Sequence, residues 1–140
     1  MISEFRLHRR VQFYETDTAG VVHFSWYFRY MEEAEHAMWR EVGLSIHQPN
    51  GAIVWPRVNA SCDYHRPLRF EQEFDVVIRI AEITARTIRY GCEVTDGQTT
   101  FATGSLTIAC ASRQPEGPMR SVDIPMDVAS RFHVASGAGA

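Results

Sequence analysis

Cysteine is scarce in this chain. Cys62, Cys92 and Cys110 are the only three, dispersed along the sequence with no C-x-x-C pair. An odd, scattered set argues against a disulfide framework or a zinc knuckle and for reduced thiols. Long apolar runs are missing too: nothing approaches the ~18 residues of a membrane span, and the N-terminus MISEFRLHRRVQF has no signal-peptide core. These absences predict a cytoplasmic protein with no membrane partner. Charge is nearly balanced, and a formal net charge of −3 at pH 7 gives no general attraction to nucleic acid, so no such partner is expected. The six histidines show no H-E-x-x-H or related spacing, and there is no G-x-G-x-x-G, Walker or G-x-S-x-G pattern. No metal, no cofactor and no serine nucleophile are expected.

What is present is an ordinary globular composition, 45% hydrophobic and 22% charged over 140 residues, sufficient for one domain with its own core. A single domain over residues 1–140 is predicted. Its tail, from about residue 134 and ending SGAGA, is too rich in small residues to pack and is expected to be disordered.

Phe5, Leu7, Arg9, Val11 and Phe13 alternate with Arg6, His8, Arg10 and Gln12, which predicts a strand over Phe5–Phe13 with one wet face. Thr16 to Gly20 breaks that period. From Ser25, a good N-cap type, Tyr27, Tyr30, Met31, Ala34, Ala37, Met38 and Val42 recur at helical spacing, and Gly43 supplies the stop. A helix from Ser25 to Val42 would be about 27 Å long, enough to cross the face of a sheet. After a loop over Leu44–Gly51, β-type composition runs from Ala52 to Tyr64, with a polar interruption at His65–Gln72. Alternation then predicts strands around Phe74–Ile80 and Ile88–Val94, Asp96-Gly97 a hairpin turn, and Thr99–Ala111 the last long strand. Ser112–Gly117 reads as a loop, and Ile124-Pro125 as the start of a short final helix. The implied architecture is α+β, an antiparallel sheet of about five strands wrapped around one long central helix.

The stretch Phe13 to Tyr27, FYETDTAGVVHFSWY, places Asp17 in a turn just before the long helix, where unpaired backbone N–H groups can polarise a carbonyl. It resembles the signature of the hot-dog-fold acyl-CoA thioesterases of the 4-hydroxybenzoyl-CoA thioesterase type, D-x-x-G-[VI]-V followed five residues on by Tyr. The resemblance extends roughly from Phe5 to Pro125, through Asn59–Ser61, Tyr64–Pro67 (YHRP) and Arg120–Pro125 (RSVDIP). It implies hydrolysis of an acyl-CoA thioester to a carboxylic acid and free CoA, in a homodimer or a homotetramer built as a dimer of dimers, with the acyl arm running between subunits.

The resemblance makes Asp17 the catalytic carboxylate, as nucleophile or general base, and makes the backbone N–H of Phe24 the donor to the thioester oxygen. Many members carry His or Tyr where this chain has Phe24, and Tyr or a similar aromatic at His23, so only a backbone role carries over at Phe24. Tyr27 completes the catalytic set; its place on the apolar stripe equally fits core packing. Substrate contacts are implied at Gly20, Val21 and His23, and CoA phosphate contacts at Arg86 and Thr87, with Arg66, Arg69 and Arg89 as weaker candidates. His23 equally reads as a surface or satisfied histidine.

Taken alone, Asp17 also reads as an Asx-turn residue bonding the backbone near Ala19 or Gly20. Glu32, Glu33 and Glu35 read as a solvated helix face, and as a reserve because a second hot-dog branch uses a helix carboxylate. Two other functions remain open: an acyl-carrier-protein thioesterase, and a non-catalytic acyl- or CoA-binding hot-dog protein.

Overall fold

A computed structural model describes residues 1–49, 51–114 and 117–137. Strand β1 (Glu4–Arg10) leads through a 3-10 turn at Phe13–Glu15 to helix α1 (Trp26–Glu41). Then come β2 (Ile53–Val54), β3 (Arg57–Tyr64), β4 (Glu73–Ile83), β5 (Thr87–Thr95), β6 (Thr100–Ala109), β7 (Ala111–Ser112), β8 (Arg120–Ser121) and the short α2 (Met126–Ala129). Five strands form one antiparallel sheet in the order β1-β4-β5-β6-β3, and β2, β7 and β8 form a small second one. This is the expected α+β architecture, with α1 laid on the sheet.

Several boundaries differ from expectation, each for a local reason. Phe13 leaves β1 for the 3-10 turn, where its exposed ring meets Phe70 edge-on at 5.7 Å. Ser25 holds a helical backbone (φ −70°, ψ −22°) and makes no side-chain cap, its hydroxyl lying 2.8 Å from His23 Nδ1. The stretch 52–64 splits at Trp55-Pro56, since proline lacks the N–H needed to continue a ladder, and its first part pairs with β7. The stretch 99–111 splits at Cys110, whose N–H donates to Arg86 O rather than to a strand partner. The connection after β3 is no hairpin: β3 pairs with β6, and the chain crosses to the opposite side of the sheet to form β4 beside β1.

One face of α1 buries Tyr27, Tyr30, Met31, Ala34 and Met38 in a core with Val76, Ile78, Ile80, Ile88, Tyr90 and Leu106. Each large side chain so buried contributes roughly 1.5–3 kcal/mol. Trp39 adds a polar tie, donating from Nε1 to Tyr90 Oη at 3.0 Å. Gly104 permits the close approach of helix and sheet, because a Cβ there would lie 2.6 Å from Met31 Sδ and 2.8 Å from Ser61 O.

Behind β4, the Ala135 N–H donates to Ile80 O at 2.9 Å, so the chain is docked beyond residue 134; residues 138–140 of the expected disordered tail lie outside the described residues. The same holds for Asn50 in the first loop, and for Pro115 and Glu116 in the second. Among the described residues no helix is long and apolar enough to cross a membrane.

Candidate active site

Asp17 begins a tight reversal. Its N–H donates to Val21 O at 2.8 Å, Gly20 N–H donates back to Asp17 O at 3.0 Å, and Thr16 bridges Val22. Gly20 sits at φ +79°, a conformation that penalises any residue with a Cβ. The side chain completes an Asx turn, Oδ1 accepting from Ala19 N–H at 2.8 Å. Oδ2 takes part in no hydrogen bond among the described residues, so turn and chemistry do not compete for the same oxygen. Val22 N–H donates to Leu68 O at 2.8 Å and Val21 bridges Arg69, which ties the turn to the β3–β4 connection.

A surface cavity of about 390 Å³ opens beside this turn, lined by Asp17, Val21, Phe24, Tyr27, Tyr64, His65, Arg66 and Pro67 among others. Phe24 lies just ahead of α1 with an exposed side chain, and among the described residues no acceptor meets its N–H. Its carbonyl is held instead, accepting from Tyr64 Oη at 2.9 Å. Partial burial pushes the Tyr64 phenol up to about 12, so it stays a neutral donor at physiological pH. Tyr27 does both things expected of it: at 3% exposed it belongs to the core, and it also lines the cavity, edge-on to Tyr64 at 5.0 Å. Burial raises the Tyr27 phenol as well, against a backbone interaction with Leu68 that pulls it down.

The other predicted positions divide. Gly20 shapes the turn and Val21 lines the cavity, whereas His23 turns away: its N–H donates to Glu15 O at 2.8 Å and its Nδ1 faces the Ser25 hydroxyl. Arg86 and Thr87 stand at the far end of the sheet. Register links Thr87 and Ile88 to the Arg57 end of β3, and Val94 through Ala102 to the Tyr64 end. Those ends are about 23 Å apart at ~3.3 Å per residue. Arg86 Nε pairs there with Asp123 Oδ1 at 2.9 Å, and Thr87 Oγ1 meets Thr84 Oγ1 at 2.6 Å. One chain therefore does not join Arg86 to Asp17; Arg66 is the arginine that lines the Asp17 cavity.

Tyr64 and His65 were not among the expected site residues and Arg66 was only a weaker candidate, although YHRP was the available signal. Glu15 was missed as well. It is fully buried two residues before Asp17, and its Oε1 accepts from Tyr30 Oη at 2.8 Å and Gln12 N–H at 2.9 Å.

Glu35 requires a correction. Expected on a solvated face, it is fully buried, its two oxygens 2.9 and 3.0 Å from the Arg57 guanidinium nitrogens. Glu32 and Glu33 do face solvent, each about half exposed. A larger cavity, about 450 Å³, opens at this end of α1, lined by Glu32, His36, Trp55, Arg57 and Arg113 among others. It holds neither Asp17 nor Phe24, so size does not mark it as the reaction centre.

Comparison with known proteins agrees with the fold. The sequence profile of the Thioesterase superfamily matches residues 19–102, a span that opens just after Asp17 and so does not itself assign that residue. A protein of Aquifex aeolicus provisionally named an esterase is 38% identical over 87 residues, 61% of this chain and 68% of its own length. The crystal structure of a hypothetical protein from Aquifex aeolicus superposes with a TM-score of 0.83 at 30% identity, over 91% of this chain and 98% of that one. BH1999, a gentisyl-coenzyme A thioesterase, superposes with a TM-score of 0.79 at 25% identity, over 89% of this chain and 99% of its own. With more than half the chain matched and the five-stranded sheet carrying one long helix, the chain belongs to the thioesterase superfamily and has its hot-dog fold.

Proposed function

We propose that this chain hydrolyses an acyl-CoA thioester to a carboxylic acid and free CoA, with Asp17 as the reacting carboxylate. One observation carries the reading: the carboxylate of Asp17 and Phe24, whose N–H is unpartnered among the described residues, border the same cavity. The thioester oxygen accepts from the Phe24 N–H, which stabilises the charge that develops there as the carbonyl carbon becomes tetrahedral. Asp17 either attacks that carbon, forming a mixed anhydride that water then cleaves, or removes a proton from the attacking water. In both routes the C–S bond breaks and the thiolate leaves, a good leaving group that needs little acid assistance. Tyr64 acts indirectly, holding Phe24 O in the peptide that follows the donor N–H and so restraining Phe24 as a whole.

Phe24, Tyr27 and Tyr64 give the cavity aromatic walls suited to stacking on an aryl acyl group. The superfamily member named for gentisyl-CoA supports that substrate class. The working unit is a homodimer. Strand β3 is an edge strand with Val58 and Tyr64 57% and 47% exposed. Antiparallel pairing of β3 with its copy would bring the Arg86 end of a second chain beside the Asp17 end of the first, which neither chain achieves alone. A monomeric mass near 16.0 kDa in solution would remove this element.

The test is thiol release from a panel of aromatic, short and long acyl-CoAs and from one acyl-carrier-protein thioester. Release from an aryl-CoA, abolished in Asp17→Asn, is the expected result. No release from any thioester leaves a non-catalytic binding protein, and release confined to the carrier-protein thioester moves the substrate to that class.

A further inference from the structure

We propose that Glu15 is a positioning residue that fixes Asp17 and the Phe24 N–H relative to each other; the inference rests on the Asp17 reading above. Glu15 is fully buried, and no step of hydrolysis uses it. Its side chain reaches three elements. Oε1 accepts from the N–H of Gln12, which caps the 3-10 turn, at 2.9 Å and from Tyr30 Oη on α1 at 2.8 Å, while Oε2 lies 2.9 Å from Arg9 Nη2 on β1. Arg9 in turn lies over the Tyr30 ring, 4.6 Å from its centroid, and its Nε is 3.2 Å from Glu33 Oε2.

The Glu15 backbone completes the arrangement, its carbonyl accepting from His23 N–H at 2.8 Å. Asp17 follows Glu15 by two residues and Phe24 follows His23 by one. Both reacting groups thus hang by short tethers from one anchored residue. Among the described residues, Asp17 itself is held only within its own turn, through Ala19, Gly20 and Val21. Rotation of that turn as a unit is opposed where it joins the rest of the molecule, through Glu15 on one side and the Val22–Leu68 bond on the other.

Stability alone is a poor account of this residue. A buried carboxylate with its partners is often no more stabilising than apolar groups of the same volume. The Arg9 contact is close yet poorly aligned, for Oε2 and Arg9 Nη1 make no hydrogen bond among the described residues. What the network does supply is direction: a charge contacted on three sides has one place to sit, and a small misplacement of reacting groups costs a large factor in rate.

The experiment compares Glu15→Gln, Tyr30→Phe and Asp17→Asn with the full-length protein, on an acyl-CoA that it hydrolyses. Measurements are kcat, KM, affinity for a non-hydrolysable thioether analogue of that acyl-CoA, and the thermal midpoint. Glu15→Gln keeps the volume and one acceptor but loses the charge facing Arg9. It is expected to lower kcat roughly 10- to 100-fold, with analogue affinity within threefold of the parent. Tyr30→Phe, which leaves the charge in place, is expected to lower kcat roughly three- to tenfold.

An unchanged kcat in folded Glu15→Gln overturns the inference, as does a loss of rate that only tracks loss of folded protein. Should Glu15→Gln fail to fold, Tyr30→Phe decides alone: an unchanged kcat overturns the inference, and a fall at constant analogue affinity upholds it. Asp17→Asn separates the two readings. If it stays active, the Asp17 reading itself is wrong; if it is dead while Glu15→Gln is fully active, only the positioning role is lost.

Discussion

At the N-terminal end of α1, Asp17 is half-buried, with one oxygen on its own turn and the other in no hydrogen bond among the described residues, facing a cavity beside the unpartnered Phe24 N–H. In the C-terminal half, Glu35 is fully buried with both oxygens on Arg57, which also reaches Glu32 at 3.1 Å. That end has the larger cavity and the more enclosed carboxylate. Both Glu35 oxygens are engaged there, whereas Asp17 keeps one outside any hydrogen bond among the described residues. Under the proposed function, reactivity follows the carboxylate with unused bonding capacity rather than the more buried one.

The pair Asp17→Asn and Glu35→Gln puts this contrast to its strongest test. Asp17→Asn keeps the Oδ1 contact to Ala19 and is expected to lower kcat about 10³-fold or more with little change in thermal midpoint, as removal of a directly acting group does. Glu35→Gln is expected to do the reverse. Breaking a buried ion pair costs about 3–5 kcal/mol, and the lower part of that range applies because Arg57 still reaches water and Glu32. The folded fraction should keep kcat within a few-fold. Rate assays alongside urea unfolding decide, and a folded but inactive Glu35→Gln would exchange the roles of the two ends.

Sequence periodicity exposed the fold because most elements here are simple. Alternation in β5 and helical spacing in α1 both reflect one buried face, and β4 keeps that pattern although Val77 and Ala81 are buried on its other side. The turn was legible through Asp17 and Gly20, whose types suit the geometry that they adopt. Glu35 was not, although it stands four residues after Met31 and three before Met38, on the buried stripe. A glutamate on that stripe is buried only if a cation meets it, and Arg57 comes from a strand 22 positions later.

Tyr64 stayed hidden, and Arg66 ranked below Arg86, for a similar reason: the β3–β4 connection folds back onto the Asp17 turn through Val22 and Leu68, a pairing that no local pattern encodes. Arg86 was named only by resemblance, at a place that a single chain holds apart from Asp17.

Gly104 tests whether the two ends share one rigid frame. Met31 lies between them on α1 and rests on Gly104 so closely that an added methyl meets both its sulfur and the Ser61 carbonyl. Gly104→Ala is expected to destabilise the fold by about 1–3 kcal/mol, the usual cost of overpacking, since the backbone oxygen cannot rotate away as a side chain can. Chemical denaturation measures it. An unchanged midpoint would mean that helix and sheet separate easily here, and the contrast between the ends would then need no common scaffold.

The smallest expected effect lies at the Asp17 end of the sheet, on its solvent face, where His8 sits between Glu73 and Asp75 at 3.0 and 2.7 Å. The hydrogen bond to Glu73, then that to Asp75, raises the His8 pKa above 6.5, and the bond to His8 lowers that of Glu73 below 4.5. A raised imidazole contributes stability that is complete below its unfolded value and fades as pH climbs through the folded one; a lowered carboxylate contributes above its unfolded value and fades in acid. The cluster therefore stabilises most between about pH 4.5 and 6.5 and weakens on the alkaline side. His8→Gln should flatten the fall of the thermal midpoint between about pH 6.5 and 8, by less than about 2 °C because His8 and Glu73 are largely in water. Parallel pH profiles for the two proteins would show that His8 titrates alike folded and unfolded. A changed hydrolysis rate in His8→Gln would tell more, since it would mean that charge on the outer face of β1 reaches Asp17 and that the boundary of the site lies beyond its cavity.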